Sequence, residues 1–372
     1  MTSIIYVGMD VHTTNYTLCC YSMEDDRFFA EVQVEPDAKN ILKYLARIEK
    51  QQSRDCRMVC GYEAGCLGYS LYHQLHAHGI DCVILAPTTM MTKPGKRIKT
   101  DRRDARLISK CLAFHTYSPV YIPTEVDDAV KEYIRMRDDA NSALARVKQQ
   151  IIAFCIRHGK IHDGKSYWTN KHLEWLSSLD LGNKILSEVL QEYLIRHYQL
   201  REQVDMYDMR INELTQAEPY RQKVEKLGCF RGIAAHTALS FCVEVGDFRR
   251  FATAQQFASY LGLVPGKCSS GDKQQYTGIT KAGNSHLRKL LVETAQVFGR
   301  SATKSGKSVA LKERQAKCDS LTVAYADKAN ARLKKKYFKI AMRSKVNIAK
   351  TAVAREMACF IWGMMTDNIS CA

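Results

Sequence analysis

The chain has 372 residues, 46% of them hydrophobic, which is enough for two or three domains with their own cores. Its formal net charge is +16, and residues 281–355 alone hold 19 Lys and Arg against four Asp and Glu, which favours a long nucleic acid as partner. A membrane-spanning helix is excluded because no apolar run reaches about 18 residues. The absence of a signal-peptide pattern and the 14 cysteines, which form no CxxC pair, favour a cytoplasmic protein with reduced thiols.

The N-terminal third predicts a sheet covered by helices. The predicted strands are 4–10, 15–22, 27–34, 57–62 and 80–85. The predicted helices begin after Asp37, at Leu67 and at Asp101. Short polar turns join the first three strands, so we expect an antiparallel meander followed by alternating helices and strands.

Four acids stand at the ends of these elements. Asp10 closes the first strand, Glu63 follows the fourth, and Asp101 and Asp104 share one face of the last helix because they are three residues apart. This is the pattern of a ribonuclease-H-like fold, in which carboxylates hold Mg²⁺. The alternative is an ordinary helix start with acids near the positive dipole end. His12 could approach the same site, but we interpret it as a surface or packing residue, because hard Mg²⁺ prefers oxygen.

Cations surround the two helical acids. Arg and Lys bind phosphate, so a metal and a nucleic-acid backbone can meet at this segment. The predicted phosphate contacts here are Lys99, Arg102, Arg103 and Arg106.

The middle of the chain carries two heptad seams, 126–154 and 186–214, separated by the interruption 158–183. Two long helices of this kind form either an antiparallel hairpin or a dimerising coiled coil. We favour contact between subunits, since such narrow stripes leave little apolar face for a globular core.

The C-terminal part predicts mainly helices. A glycine-containing turn joins two helices within 224–245, a polar loop follows at 263–284, and a helix spans 285–299. From the residues alone, we interpret Ser270 in that loop as a turn residue. Further predicted nucleic-acid contacts are Lys267, Lys273, Lys281, Arg288, Lys289, Lys334, Lys335 and Lys336.

Several short motifs stand in one order over residues 4–300. They are Val7-Gly8-Met9-Asp10, Tyr62-Glu63-Ala64-Gly65, Lys99-Thr100-Asp101 with Asp104-Ala105-Arg106, Gly262-Leu263-Val264-Pro265, Ser269-Ser270-Gly271 and Thr280-Lys281-Ala282-Gly283-Asn284. The ordered set resembles the DEDD transposases of the insertion sequence 110 family, also described as bridge-RNA-guided recombinases. The chain departs from that family at 158–183, which is longer and richer in Trp than expected.

The resemblance implies three domains. These are a RuvC-like (ribonuclease-H-like) α/β catalytic domain at 1–120, a coiled-coil oligomerisation region at 121–218 and a mainly helical transposase domain at 219–372. It also implies Mg²⁺ or Mn²⁺ on Asp10, Glu63, Asp101 and Asp104, and a covalent link between Ser270 and a DNA phosphate. The implied partners are target and donor DNA, a structured non-coding guide RNA and further copies of the chain, as a dimer to tetramer at the bacterial nucleoid.

The leading hypothesis is therefore a transposase that exchanges DNA strands through a serine–DNA phosphoester. One alternative is a RuvC-like nuclease in which a metal-activated water attacks and Ser270 is structural. Another is a nucleic-acid-binding scaffold without catalysis, which the four intact acids argue against.

Overall fold

The structure is a computed structural model that describes residues 3–52, 56–90, 100–270, 273–300 and 306–369, with the backbone alone at 88, 267–270 and 273–276. The chain divides into two units, Met1–Ile122 and Pro123–Ala372. Among the described residues, no helix combines the length and the apolar character that crossing a membrane requires.

The first unit contains a five-stranded sheet in the order β3-β2-β1-β4-β5. The strands are β1 (Ser3–Val11), β2 (Tyr16–Ser22), β3 (Arg27–Val34), β4 (Cys56–Glu63) and β5 (Cys82–Leu85). β1, β2 and β3 pair antiparallel, whereas β4 runs parallel to both β1 and β5. The predicted meander and the mixed α/β sheet are confirmed.

Helices cover both faces of this sheet. They are α1 (Ala38–Gln51), α2 (Ser70–Ala77) and α3 (Asp101–Ala113), and Asp37 caps α1 as predicted. Alternation along β1 sends Ile5, Val7 and Met9 into the core under α1 and α2, while Tyr6 packs with α3. Asp10 has the parity of Tyr6, so it belongs to the face covered by α3.

The second unit is mostly helical. Its helices are α4 (Glu125–Arg157), α5 (Asn170–Ser177), α6 (Lys184–Gln216), α7 (Arg221–Gly228), α8 (Ala235–Val245), α9 (Ala254–Tyr260), α10 (Ser285–Arg300), α11 (Val309–Gln315), α12 (Ser320–Ala341) and α13 (Val346–Met365). One large core joins residues from α4 and α6 to α7–α10, α12 and α13. The two seams and the C-terminal helices therefore fall in the same unit.

The seams pack against each other within one chain. The ring of Tyr133 on α4 meets that of Tyr207 on α6 at 5.7 Å, and Phe154 meets Tyr193 at 6.1 Å, so the helices run antiparallel. The polar intrusion Arg137 donates to both carboxylate oxygens of Asp208 at 2.8 and 2.9 Å. Within the chain the seams form the antiparallel hairpin, one of the two alternatives that the sequence leaves open, because a heptad stripe requires an apolar partner without specifying which chain supplies it. Contact between subunits through this region stays a prediction.

The interruption at 158–183 forms a folded tip on this hairpin. Its α5 carries His172, which is 1% exposed and accepts the Trp168 backbone N–H at Nδ1 over 3.1 Å. Trp175 stacks on the same imidazole with ring centres 5.6 Å apart. The tryptophans that set this segment apart in the sequence are half-buried and pack against the small core of the tip, which includes Leu176.

The predicted polar loop at 263–284 contains a β-hairpin. Its strands are β6 (Pro265–Ser270) and β7 (Lys273–Ile279), which pair antiparallel from Pro265–Ile279 to Ser270–Lys273. The prediction of a loop is wrong. The glycine and serine residues of this segment favour a loop in the sequence, but the segment also contains a hairpin signal. That signal is Gly271-Asp272, a two-residue Gly-Asp sequence of the kind that joins antiparallel strands.

Candidate functional site

The site is built where β1 ends beneath the start of α3. Gly8 permits the close approach, because a Cβ there would lie 2.0 Å from the Ala105 carbonyl oxygen and 2.4 Å from the Ser109 nitrogen. Ala105, Ile108 and other apolar residues of α3 are buried against the sheet. A larger residue at position 8 would push α3 away from the strand that carries Asp10.

Two acids occupy the first turn of α3. Asp101 is its first residue and Asp104 lies one turn on. Within the described residues, one group of potential metal ligands has all its ligand atoms within 4.8 Å of one another: Asp10, His12 and Asp101. The fold thus brings together side chains that are about 90 residues apart in sequence.

The surroundings of Asp10 disfavour the charged form of its carboxyl group. Burial raises the pKa of this carboxyl, the charges of Asp104 and Asp101 raise it further, and nearby His12 opposes them. His12 Nε2 lies 3.3 Å from Asp10 Oδ2, yet the two are not aligned for a hydrogen bond, and in the described part of the chain Oδ2 has no hydrogen-bond partner. His12 thus approaches the acids, as its place in the sequence allows, while its side chain stays 44% exposed.

The donor set fits a divalent cation. A buried oxygen without a hydrogen-bond partner is costly, and a cation would satisfy it while offsetting the repulsion between Asp10, Asp101 and Asp104. Carboxylate oxygens suit Mg²⁺ and Mn²⁺, whereas the imidazole of His12 also suits softer transition metals.

Glu63 stands near this group without belonging to it. It is the last residue of β4, and the parallel register that pairs Met9 with Tyr62 places it beside Asp10 on the face covered by α3. Its side chain is exposed. Asp104 acts on Asp10 through its charge but also lies outside the ligand group.

The cations around α3 differ in their contacts. Arg106 forms an ion pair with Glu31 on β3 and lies over the Phe28 ring at 5.4 Å, so its guanidinium is used within the fold. Hydrogen bonding from Arg106 lowers the pKa of Glu31. Arg102 and Arg103 are exposed on the same turn, and Lys99 lies outside the described residues.

Ser270 lies in the second unit, as the last residue of β6. Its backbone pairs with Lys273 across the hairpin, and Ser269 pairs with Gln274. Their side chains are outside the described part of the structure, so the role of Ser270 remains a prediction.

Comparison with known proteins places the chain in a family. A model described as the transposase IS116/IS110/IS902 family matches residues 225–314, and a DEDD transposase model of the IS110 type matches residues 7–156. The chain is 32% identical over 340 residues to the transposase for insertion sequence element IS1533 of Leptospira borgpetersenii, covering 90% of this chain and 95% of that relative. It belongs to the IS116/IS110/IS902 transposase family.

Another relative agrees with this assignment. The putative transposase y4qE of Sinorhizobium fredii is 35% identical over 307 residues, covering 82% of this chain and 75% of that protein. The DEDD-type model spans Asp10, Glu63, Asp101 and Asp104, and the other model spans Ser270. The chain is therefore a transposase of an insertion sequence and acts on DNA. DEDD-type transposases generally use a divalent metal ion, which agrees with the acids gathered around Asp10.

The basic residues of the transposase fall into two groups. Lys336 forms an ion pair with Glu356 at 2.6 Å, and Arg288 donates to the Leu261 carbonyl at 2.9 Å, so both have contacts inside the fold. Lys281, Lys289 and Lys335 are exposed, and Lys334 is half-buried. The side chains of Lys267 and Lys273 are outside the described residues.

Proposed function

We propose that this transposase cuts and rejoins DNA through a covalent serine–phosphate link at Ser270, with a divalent metal held by Asp10, Asp101, Asp104 and Glu63. The observation that carries the metal half of the proposal is the convergence of Asp10, His12 and Asp101 within 4.8 Å in a chain of the DEDD type. The serine half is supported by the position of Ser270 at the end of a hairpin strand, where its backbone pairs with Lys273.

The proposed step is a phosphoryl transfer in which one P–O bond forms and one P–O bond breaks. The Ser270 oxygen attacks a DNA phosphorus, a P–O bond to the serine forms, and the P–O bond to one deoxyribose oxygen breaks. The serine proton passes to a base and the released sugar oxygen takes up a proton. Attack by another sugar hydroxyl on the phosphoserine then reverses the step on a different strand, so no external energy source is needed.

The acids act as a group in this proposal. A bound divalent ion would neutralise phosphate charge and lower the pKa of the attacking hydroxyl. Asp10 and Asp101 would hold it through carboxylate oxygens, with Asp104 and Glu63 completing the acidic surroundings. His12 would offer a ring nitrogen to the same ion, and Arg102 and Arg103 would bind the DNA backbone beside them.

The nearest alternative is a nuclease in which water attacks the phosphorus. It is favoured by one observation, that a metal-binding group forms within the first unit from its own residues. The two reactions differ in product, since water leaves a free 5′-phosphate and serine leaves a protein–DNA adduct. A scaffold without catalysis would give neither product.

Replacing Ser270 with Ala tests the serine directly. We expect Ser270→Ala to bind DNA like the wild type and to give no covalent adduct on denaturing gels, because no oxygen nucleophile remains at that position. Ser269→Ala is the matched control and should retain adduct, being the neighbouring serine on the same strand. Adduct at the wild-type level in Ser270→Ala would show that another residue makes the covalent link. Cleavage by the wild type to a free 5′-phosphate without any adduct would support the water-using nuclease instead.

We further propose that the basic region 281–355 binds target DNA, donor DNA and a non-coding guide RNA, in an oligomer of this chain. Its excess of Lys and Arg supports this assignment, since phosphate contacts release counter-ions. Charge reversal at Lys334 and Lys335 should flatten the plot of log affinity against log salt by about 0.9 for each lost phosphate contact, for DNA and RNA alike. Lys43→Glu with Lys50→Glu on α1 is the control, and an unchanged slope in the first pair would place the contacts elsewhere.

A further inference from the structure

A second cluster of acids and imidazoles lies inside the C-terminal unit. Asp138 on α4 contacts two histidines: its Oδ2 is 2.8 Å from His286 Nε2 on α10, and its Oδ1 is 2.9 Å from His236 Nε2 on α8. The other ring nitrogen of His286, Nδ1, lies 3.3 Å from Glu244 Oε1, also on α8. The Glu244 side chain is only 6% exposed, so three helices meet around partly desolvated charges.

His286 lies between two carboxylates, one at each ring nitrogen. A neutral imidazole has one N–H and cannot donate to both, whereas the imidazolium can. Burial lowers the pKa of His286, but hydrogen bonds to Asp138 and Glu244 and their charges outweigh it and raise the pKa to about 9. The ring is therefore positively charged at neutral pH and joins α4 to α8.

Other charged or titratable groups complete the surroundings of His286. Arg135 on α4 reaches Glu244 at 3.1 Å, and Arg137 reaches Asp138 at 3.2 Å. The groups around the ring are Asp138, Arg135 and Arg137 from α4, Asp208 from α6, His236 and Glu244 from α8 and Tyr260 from α9. His286 contacts both Asp138 and Glu244, whereas the contacts given above for Arg135 and Arg137 reach one of these two carboxylates each.

Asn284 connects this cluster to the β6–β7 hairpin. Its Nδ2 donates to Glu244 Oε2 at 2.9 Å, and its Oδ1 accepts the Leu287 backbone N–H at 2.9 Å, which caps α10. Its own backbone N–H donates to the Tyr260 carbonyl at 2.9 Å. One side chain thus ties the buried Glu244 to the chain segment that leaves the hairpin.

Two glycine turns lock the base of the hairpin. Gly283 has φ +97°, and a Cβ there would lie 2.1 Å from the Tyr260 carbonyl oxygen, while Gly262 has φ +65° and would clash with the Ala282 carbonyl at 2.2 Å. The Lys281 N–H donates to the Gly262 carbonyl at 3.1 Å, and the Thr280 N–H to the Val264 carbonyl at 2.9 Å. Because of these close contacts, the base of the hairpin moves together with the segment around Asn284.

We propose that His286 is a positioning residue: it holds Glu244 and Asn284 in place and through them aims the β6–β7 hairpin that ends in Ser269 and Ser270. The inference rests on the proposed function only in giving the hairpin a reacting serine. Loss of the ring charge would leave Glu244 or Asp138 without one of its bonds, and Asn284 would lose its fixed acceptor.

Hydrogen exchange of the hairpin base tests the positioning. In His286→Gln we expect the amides of Thr280, Lys281 and Asn284 to exchange about tenfold faster than in the wild type at the same pH, with no change in α1 of the first unit. His236→Gln is the matched control, because His236 contacts Asp138 but has no link to Glu244. Equal protection of the hairpin base in wild type and His286→Gln would overturn the proposal.

The wild-type protein supplies a second test that does not depend on a variant folding well. After correction for intrinsic exchange, protection of the same three amides should fall as pH rises through about 9, while α1 keeps its protection. Adduct formation should fall over the same pH range in the wild type, and it should be low and unaffected by that range in His286→Gln.

The two proposals fail in distinguishable ways. Loosening of the hairpin in His286→Gln, together with wild-type adduct in Ser270→Ala, would keep the positioning role and reject the serine reaction. A pH-independent hairpin base in the wild type would reject the positioning role and leave the serine reaction standing.

Discussion

The two acid clusters of this transposase use the same kinds of side chain in opposite electrostatic settings. Around Asp10, the carboxylate of Asp101 and the imidazole of His12 converge, and burial together with the charges of Asp104 and Asp101 raises the Asp10 pKa. Around Glu244, burial also raises the pKa, but hydrogen bonds from His286 and Asn284 and the charge of Arg135 outweigh it and lower the pKa to about 2.

The difference shows how a fold separates a binding site from a structural anchor. The cluster around Glu244 contains its own cations, so its charges are balanced within the chain. In the ligand group of Asp10, His12 and Asp101, two carboxylates face one imidazole, which fits a cation supplied from outside. A carboxylate-rich site is thus better judged by its charge balance than by the number of its acids.

The largest expected effect comes from Asp10→Asn. This change keeps the shape of the side chain and removes the charge that a metal needs, so strand cleavage should fall to background. Thermal unfolding should stay near the wild-type temperature or rise slightly, because repulsion with Asp101 and Asp104 is relieved. Asp37→Asn, at the cap of α1, is a control for the loss of one carboxylate. Full cleavage in Asp10→Asn, or cleavage unchanged by EDTA, would show that this cluster holds no catalytic metal.

Glu244→Gln should show the reverse pattern, with a large effect on stability. The amide cannot balance His286 and Arg135, and breaking a buried charged pair costs about 3–5 kcal/mol. Urea unfolding measures this loss, and Glu188→Gln on the exposed face of α6 is the control. Equal midpoints for wild type and Glu244→Gln would mean that the anchor contributes nothing, which would remove the contrast between the two clusters.

A smaller effect should appear in the pH dependence of stability. The pKa of His286 is higher in the folded chain than in the unfolded chain. Its contribution to the free energy of unfolding is therefore fully present below the ordinary pKa of about 6.5. That contribution, on the order of 1–3 kcal/mol, is lost as pH rises through about 9. The Glu244 pKa is lowered, so its contribution is present above the ordinary value and is lost as pH falls towards about 2. Denaturant titrations at several pH values give both trends.

Asp10 should contribute with the opposite sign to Glu244. Its folded pKa is raised, so stability falls as pH rises from the ordinary value through the folded one, and a bound divalent ion should restore it. The stabilisation that Mn²⁺ gives to the wild type should therefore weaken as the solution is acidified, and it should be absent in Asp10→Asn. Equal Mn²⁺ stabilisation of both proteins would contradict the proposed site.

The sequence by itself determined the elements of the first unit and the approach of Asp101 to Asp10. Alternating apolar residues set the strands, 3.6-residue periodicity set the helices, and the order of elements placed Asp10, Asp101 and Asp104 at one end of the sheet. These are local signals, readable because each element must bury one face. The excess of basic residues at 281–355 is also a property of composition alone.

Only the tertiary structure decided which surfaces meet. The seam of α4 fits a partner helix from any source, and the fold pairs it with α6 of the same chain. The sequence does not signal that Arg106 bonds to Glu31 or that His286 bonds to Asp138, because these partners are 75 and 148 positions apart. Periodicity reports that a face must be buried, whereas the choice of partner depends on long-range packing and on how buried charges are balanced.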